Sequence, residues 1–326
     1  MTTVLVTGAN GFIGRILVNY LLAKHLTVRV LVRKSGVFPH QVEQYIGDLT
    51  ETASLLDATH GVETVFHLGG YAHALKAVRG QALLHQQVNC DGVKNILAAC
   101  INNQIKKFVF FSTVKAVVDS HTQIDEQFNG QPNSAYGLAK RQAEDFVLAA
   151  GKMHGLHVAV LRLALVYGPG VKGNLYRVLR AIDKGYFLPM PPVQNQRSLV
   201  NVHDVCEAAW LAAESSQANG KIYYVTDKND YATHEIYALM YAALNRKQPK
   251  RTIPLWLFKL FAWMGDLGER WIKRRFPFNS DAFQKLFGSS QYRSILIQQE
   301  LGWIPRYSLA EVLPEMIQHY KDSGKQ

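Results

Sequence analysis

Short β-branched runs, TVLVT, TVRVLVR, ETVFHL, KKFVFFS and HVAVLRLA, recur through the first half of the chain. Helix-like stretches such as FIGRILVNYLLAKH and VNCDGVKNILAACINN separate them. Strands that are apolar almost throughout must be buried on both faces, and the amphipathic stretches between them supply the cover. This alternation restricts the fold to α/β, a doubly wound parallel sheet with helices on each side. After Gly168 the pattern loosens, with Pro169, Pro189, Pro191 and Pro192 in loops and helices gathered toward the C-terminus. The expected division is therefore a sheet domain over residues 1–168 and a smaller, mostly helical lobe over 169–326. Late strands near 197–226, RSLVNV and KIYYVT, are expected to return to the first domain.

The first strand runs straight into Gly8, Gly11 and Gly14, and a helix follows. In such a loop the first glycine permits the tight turn and the second lets backbone approach a pyrophosphate. The third lets helix and strand pack closely. Standing after a strand and before a helix, the triplet predicts a dinucleotide site. At the end of the second strand, where an acidic residue would hold the 2′-hydroxyl of NAD, stand Arg33 and Lys34. Two cations there suit the 2′-phosphate of NADP, while stacking on adenine or plain solvation accounts for Arg33 equally well.

A second constellation lies in SAYGLAK, residues 134–140. Tyr136 and Lys140 are four apart, hence on one helical face, and an ammonium near the phenol favours its ionised form, as does the positive nicotinamide of a dinucleotide. A phenol so tuned serves as acid/base between an alcohol and its ketone, which an unperturbed one, titrating near ~10, does poorly at neutral pH. Upstream, KKFVFFST ends a strand with Ser112 and Thr113, whose hydroxyls could hold the same substrate oxygen. Cys90, Cys100 and Cys206 are widely spaced among apolar residues without a metal pattern, so reduced buried thiols and no metal site are expected. No apolar run spans a bilayer and no signal segment opens the chain, so a cytoplasmic location is expected. The formal charge of +11 calls for an anionic partner.

With these residues in view, nearly the whole chain resembles the extended short-chain dehydrogenase/reductases, the NAD(P)-dependent epimerases, dehydratases and reductases of Rossmann type. TGANGFIG is similar to the family's cofactor loop, which implies contacts from Gly8, Asn10, Gly11, Phe12, Ile13 and Gly14. By the same resemblance GDLT supplies Asp48 and Leu49 near adenine, VFHLGG supplies Leu68 and Gly69 beside the ribose, and VNCDGVKNIL supplies Asn89. YGLAK supplies the catalytic Tyr136 and Lys140, both also facing the cofactor, and Thr113 must stand where the family places its catalytic serine, since SS..VYG reads STVKAVV. The family's HLAA reads HLGG. The segment from VKGNLYR to RSLVNVHDV resembles the substrate region of nucleotide-sugar epimerases, implying that Asn174 and Arg197 contact a UDP moiety. Helices beginning near Leu84 and Ser134 form a dimer's four-helix bundle in many relatives, so a homodimer is expected.

Two other features bear on the substrate. Residues 253–276 combine Trp256, Phe261, Trp263 and Trp271 with the basic run Lys273, Arg274 and Arg275. That pattern fits a pair of helices covering the substrate pocket, and it also fits a helix lying in a membrane interface. A comparable insertion occurs in the sterol and 3β-hydroxysteroid branch of the same superfamily, so a dehydrogenase of a lipid-like alcohol is the alternative to a nucleotide-sugar enzyme. No recognition motif for nucleic acid accompanies the basic residues. A non-enzymatic nucleotide sensor would need only the glycine loop, which retention of Tyr136, Lys140 and a nearby hydroxyl argues against.

Overall fold

The computed structural model describes residues 2–35, 38–71, 81–117, 123–272, 276 and 278–323. Its strands are β1 (Thr3–Thr7), β2 (Thr27–Val32), β3 (Glu43–Ile46), β4 (Thr64–His67), β5 (Lys107–Thr113), β6 (His157–Leu163), β7 (Leu165–Tyr167), β8 (Arg197–Asn201), β9 (Lys221–Val225) and β10 (Asp230–Tyr231). Seven of them form one parallel sheet in the order β3-β2-β1-β4-β5-β6-β9. The helices are α1 (Phe12–Ala23), α2 (Thr52–Thr59), α3 (Gln81–Gln86), α4 (Gly92–Asn102), α5 (Ala135–His154) and α6 (Asn174–Asp183). They continue as α7 (Val202–Glu214), α8 (Thr233–Ala243), α9 (Leu255–Ile272), α10 (Ser280–Phe287), α11 (Ile295–Leu301) and α12 (Leu309–Ser323). The architecture is the doubly wound, Rossmann-type sheet expected from the alternation.

Residue-by-residue alternation divides the core of the sheet into two layers. Val4, Val6, Val109, Phe111, Ala159 and Leu161 face a layer with α1, α7 and α11. Leu5, Phe108, Phe110, Val158 and Val160 face the other, with α2, α4 and α5. A third cluster lies in the C-terminal lobe, where α6, α8 and α12 meet through Leu175, Leu179, Ile236, Met240, Leu313 and Met316.

Of the two late strands, only β9 joins the large sheet, at its edge beside β6. β8 pairs instead with β7 and β10 in a separate three-stranded sheet. The reason is connectivity: β7 follows β6 after a single residue and turns away, and β8 runs parallel to it. Residues 253–276 contribute α9, whereas Lys273, Arg274 and Arg275 lie outside the described residues.

Candidate active site

The glycine loop closes by close approach. Gly8 has φ +69°, and a Cβ on it would lie 2.7 Å from the backbone of Leu68 and Gly69. On Gly14 a Cβ would lie 2.4 Å from the Gly8 carbonyl oxygen, so only glycine lets α1 begin this near β1. The first turn of α1 has no acidic residue, and its N-cap, Gly11, offers no side-chain acceptor. Its unpaired N–H groups and dipole therefore favour an anion. Asn10 Oδ1 is buried with no hydrogen-bond partner among the described residues. Cradle, open helix end and orphaned acceptor together fit the pyrophosphate and ribose of a dinucleotide. The Phe12 side chain packs on the lobe's core, 3.5 Å from a Cβ built on Gly168.

β4 forms the next wall. The Thr7 hydroxyl accepts from the Gly69 amide at 3.0 Å and is 2.8 Å from His67 Nδ1, pinning Leu68 and Gly69 against β1. Leu49 is buried beneath Gly69 and Gly92. Asp48 is half-buried, and its Oδ1 accepts from the Thr50 amide and hydroxyl at 2.9 and 2.8 Å. Those bonds hold its carboxyl below the usual range, with Arg33 assisting. Arg33 and Lys34 are exposed just past β2. Asn89 has both ends of its amide engaged by Tyr71, accepting from its amide at 2.6 Å and donating to its carbonyl at 3.0 Å. Those bonds fix the loop after β4.

From that loop a path of contacts leads to the tyrosine. The Tyr71 and His85 rings are 5.2 Å apart, His85 Nδ1 is 3.1 Å from the Tyr71 carbonyl, and the His85 and Tyr136 rings are 5.5 Å apart. Ser134 caps α5 by accepting from the Gly137 amide at 3.1 Å. Gly137 lets that helix rest on the turn after β5, since a Cβ there would lie 2.2 Å from the Lys115 carbonyl oxygen. This contact sets Tyr136 beside Thr113, whose hydroxyl is near enough to favour the ionised phenol and accepts from the Lys115 amide at 3.2 Å. Lys140 Nζ donates to the Phe111 carbonyl at 2.7 Å and lies 3.9 Å from the centre of the Phe110 ring. Thr113, Tyr136 and Lys140 are thus brought together at the C-terminal end of β5.

Two expectations are corrected here. Burial pushes Tyr136 up to about 12, against the Thr113 hydrogen bond, and pushes Lys140 down to about 7, against Glu144. In the protein alone the phenol is therefore not tuned toward ionisation, because desolvation dominates and the amine, its own charge weakened by burial, is bound to backbone. Ser112, moreover, does not face the tyrosine: its hydroxyl donates to Glu144 Oε1 at 2.5 Å. Glu144 is in turn clasped by Arg162 at 2.6 and 3.0 Å, all of it buried.

Thr7, His67, Tyr71 and His85 shape the site without having been singled out from the sequence. The spacing of His85 and Asn89, four apart and one turn before Gly92, was the available signal for one of them. In the lobe, Asn174 is exposed at the start of α6, after Gly173 at φ +80°. Arg197 is half-buried, donates to the Gln284 carbonyl at 3.4 Å and lies near enough to Tyr237 to oppose the burial that pushes that phenol up. A cavity of about 190 Å³ opens there between Phe187, Pro189, Met190, Tyr237 and Tyr241. A shallower depression of about 660 Å³, at Tyr45, Glu51 and Asp57, lies by β3, separated from β5 by three strands and so from the tyrosine.

Residues 4–226 match the NAD dependent epimerase/dehydratase family. The chain is 28% identical over 325 residues to a UDP-glucose 4-epimerase of Vibrio cholerae, covering 98% of this chain and 95% of that protein. It is 24% identical over 342 residues to a 3-beta-hydroxysteroid dehydrogenase of Mycolicibacterium neoaurum, covering 98% and 91%. The crystal structure of a Thermus thermophilus UDP-glucose 4-epimerase in complex with NAD superposes with a TM-score of 0.77 at 25% identity, covering 98% of this chain and 99% of that one.

Proposed function

Because the chain belongs to the NAD-dependent epimerase/dehydratase family and is an NAD-dependent enzyme, we propose that it acts on a hydroxyl of a nucleotide sugar, as a UDP-hexose 4-epimerase does. The observation that carries this reading is the end-to-end similarity to a UDP-glucose 4-epimerase, with Thr113, Tyr136 and Lys140 gathered at the dinucleotide groove. Asn174 and Arg197 are the residues proposed to take the UDP part. Bound NAD(P)⁺ supplies a hydride acceptor and a positive charge beside the phenol.

Tyr136 is the acid/base in this reading. It withdraws the hydroxyl proton from the sugar, for which its pKa must fall from about 12 once positive charge enters the groove. Thr113 hydrogen-bonds the reacting oxygen, and Lys140 turns from the Phe111 carbonyl to the cofactor ribose. A keto sugar retained in the site and reduced on its opposite face would give epimerisation, and one released would make the enzyme a dehydrogenase. Arg33 and Lys34 favour NADP over NAD. A homodimer through the helices that begin near Leu84 and Ser134 belongs to the same proposal, supported by the exposure of Leu83, Leu138, Phe146 and Met153.

Calorimetric titration of UDP is the test. The wild type should bind, and Arg197→Ala should weaken UDP by well over tenfold, since losing one charge-assisted arginine contact costs about 2–5 kcal/mol, while NAD(P) binding hardly changes. Absence of binding at millimolar UDP would favour the second reading, a lipid-like alcohol, which the similarity to a steroid dehydrogenase supports.

A further inference from the structure

Helix α9 is apolar on two sides and buries only one of them. Phe258 and Ala262 are buried, and the Phe258 ring lies 5.1 Å from that of Phe287 on α10. A Cβ on Gly265 would lie 1.9 Å from the Phe278 carbonyl oxygen, so the helix presses closely on the chain leading into α10. The other side carries Trp256, Leu260, Trp263, Met264, Leu267 and Trp271, spaced by three and four residues and hence on one stripe. Trp256, Trp263 and Trp271 are 62, 59 and 82% exposed, which places three of the chain's five tryptophans in water on a single helix. Scattered apolar residues on a surface need no explanation, but a continuous stripe of this kind marks a contact.

Charge narrows the choice of partner. Both acids of α9 are turned back toward the chain: Asp266 accepts from the Ser280 amide at 3.1 Å, and Glu269 from the Asn279 side chain at 2.9 Å. The charged residues beside the stripe are basic, with Lys247, Lys250 and Arg251 exposed ahead of the helix and Lys259 exposed upon it. The sequence beyond it continues Lys273, Arg274, Arg275, outside the described residues. A second copy of the chain laid parallel would bring the basic residues ahead of each helix against one another. An anionic lipid surface meets these described basic residues favourably, and tryptophan suits the boundary between headgroups and acyl chains. Among the described residues no helix is long and apolar enough to cross a membrane.

We propose that the outer face of α9 docks on an anionic lipid surface, the helix lying in the plane of the interface with its tryptophans among the headgroups. Docking does not depend on which substrate the enzyme turns over. The purified protein is mixed with vesicles of phosphatidylcholine and phosphatidylglycerol, or of phosphatidylcholine alone, and followed by flotation and tryptophan fluorescence. The expected result is salt-sensitive binding to the mixed vesicles with a blue shift of emission. Trp256→Ser with Trp263→Ser should weaken binding by about tenfold or more, and Lys250→Glu with Arg251→Glu should remove the preference for anionic lipid. Both variants change exposed residues away from the groove and should keep dinucleotide binding, which checks their folding. Failure of the wild type to bind mixed vesicles at low salt would overturn the proposal, as would equal binding by the tryptophan variant. Sedimentation showing a dimer that this variant dissociates would overturn it in favour of a second copy.

Discussion

Tyr136 and His67 show how burial sets the chemistry of single side chains. Tyr136→Phe removes one hydroxyl from a ring held by His85 and leaves the glycine loop untouched. Turnover should fall by roughly 10²–10⁴-fold with dinucleotide affinity nearly unchanged, read by steady-state kinetics and calorimetry. Near-normal turnover would mean that the tyrosine is an ordinary helix residue. His67 is fully buried between Phe108 and Phe110, which drives it down to about 3. Between about pH 3 and 6.5 the unfolded chain therefore binds the proton that the folded chain refuses, so stability falls as pH drops through that window. From pH 7 to pH 5 this amounts to about 2 kcal/mol. Urea unfolding of His67→Asn should show a correspondingly shallower loss over that range; parallel losses in variant and wild type would remove histidine as the cause.

At the scale of elements, α5 is placed by contacts at both ends and locked by one in its middle. Gly137 seats its first turn on the Lys115 carbonyl, and Gly155 ends it in the left-handed conformation at φ +67°. Glu144, one turn beyond Lys140, is held by Ser112 from β5 and Arg162 from β6. A buried pair contributes less net stability than its attraction suggests, yet breaking it strands the remaining charge. Glu144→Gln should accordingly destabilise the protein by roughly 3–5 kcal/mol in urea unfolding, through an unmatched Arg162 guanidinium. An unchanged midpoint would show that the pair is not what fastens the helix to the sheet.

Across the whole molecule the excess of cations, +11, favours phosphate-bearing ligands at every approach. Specificity for the 2′-phosphate must come from cations close to it, and Arg33 and Lys34 stand exposed at the end of β2. NADP should bind more tightly than NAD at low salt, the ratio shrinking as ionic strength brings the screening length to about 8 Å. Titrations of both cofactors at two salt concentrations decide it: equal affinities at low salt, or a preference for NAD, would assign the two cations to solvent.

The sheet and the cofactor loop were legible in the sequence because both are written in short-range terms. Strand periodicity, a glycine triplet between strand and helix, and a tyrosine and lysine one turn apart each specify local geometry. The tertiary structure decided what depends on which side of an element meets which neighbour. Ser112 and Thr113 are adjacent hydroxyls in sequence, but the pleat sends one to Glu144 and the other to Tyr136. β8 reads like a strand of the large sheet and belongs to the small one, because β7 claims it. The apolar residues of α9 surround the helix in sequence, and only packing against α10 determined which remain in water. Tyr136 and Lys140 departed from their expected ionisation for the same reason: desolvation belongs to the folded surroundings of a group, and no spacing along the chain encodes it.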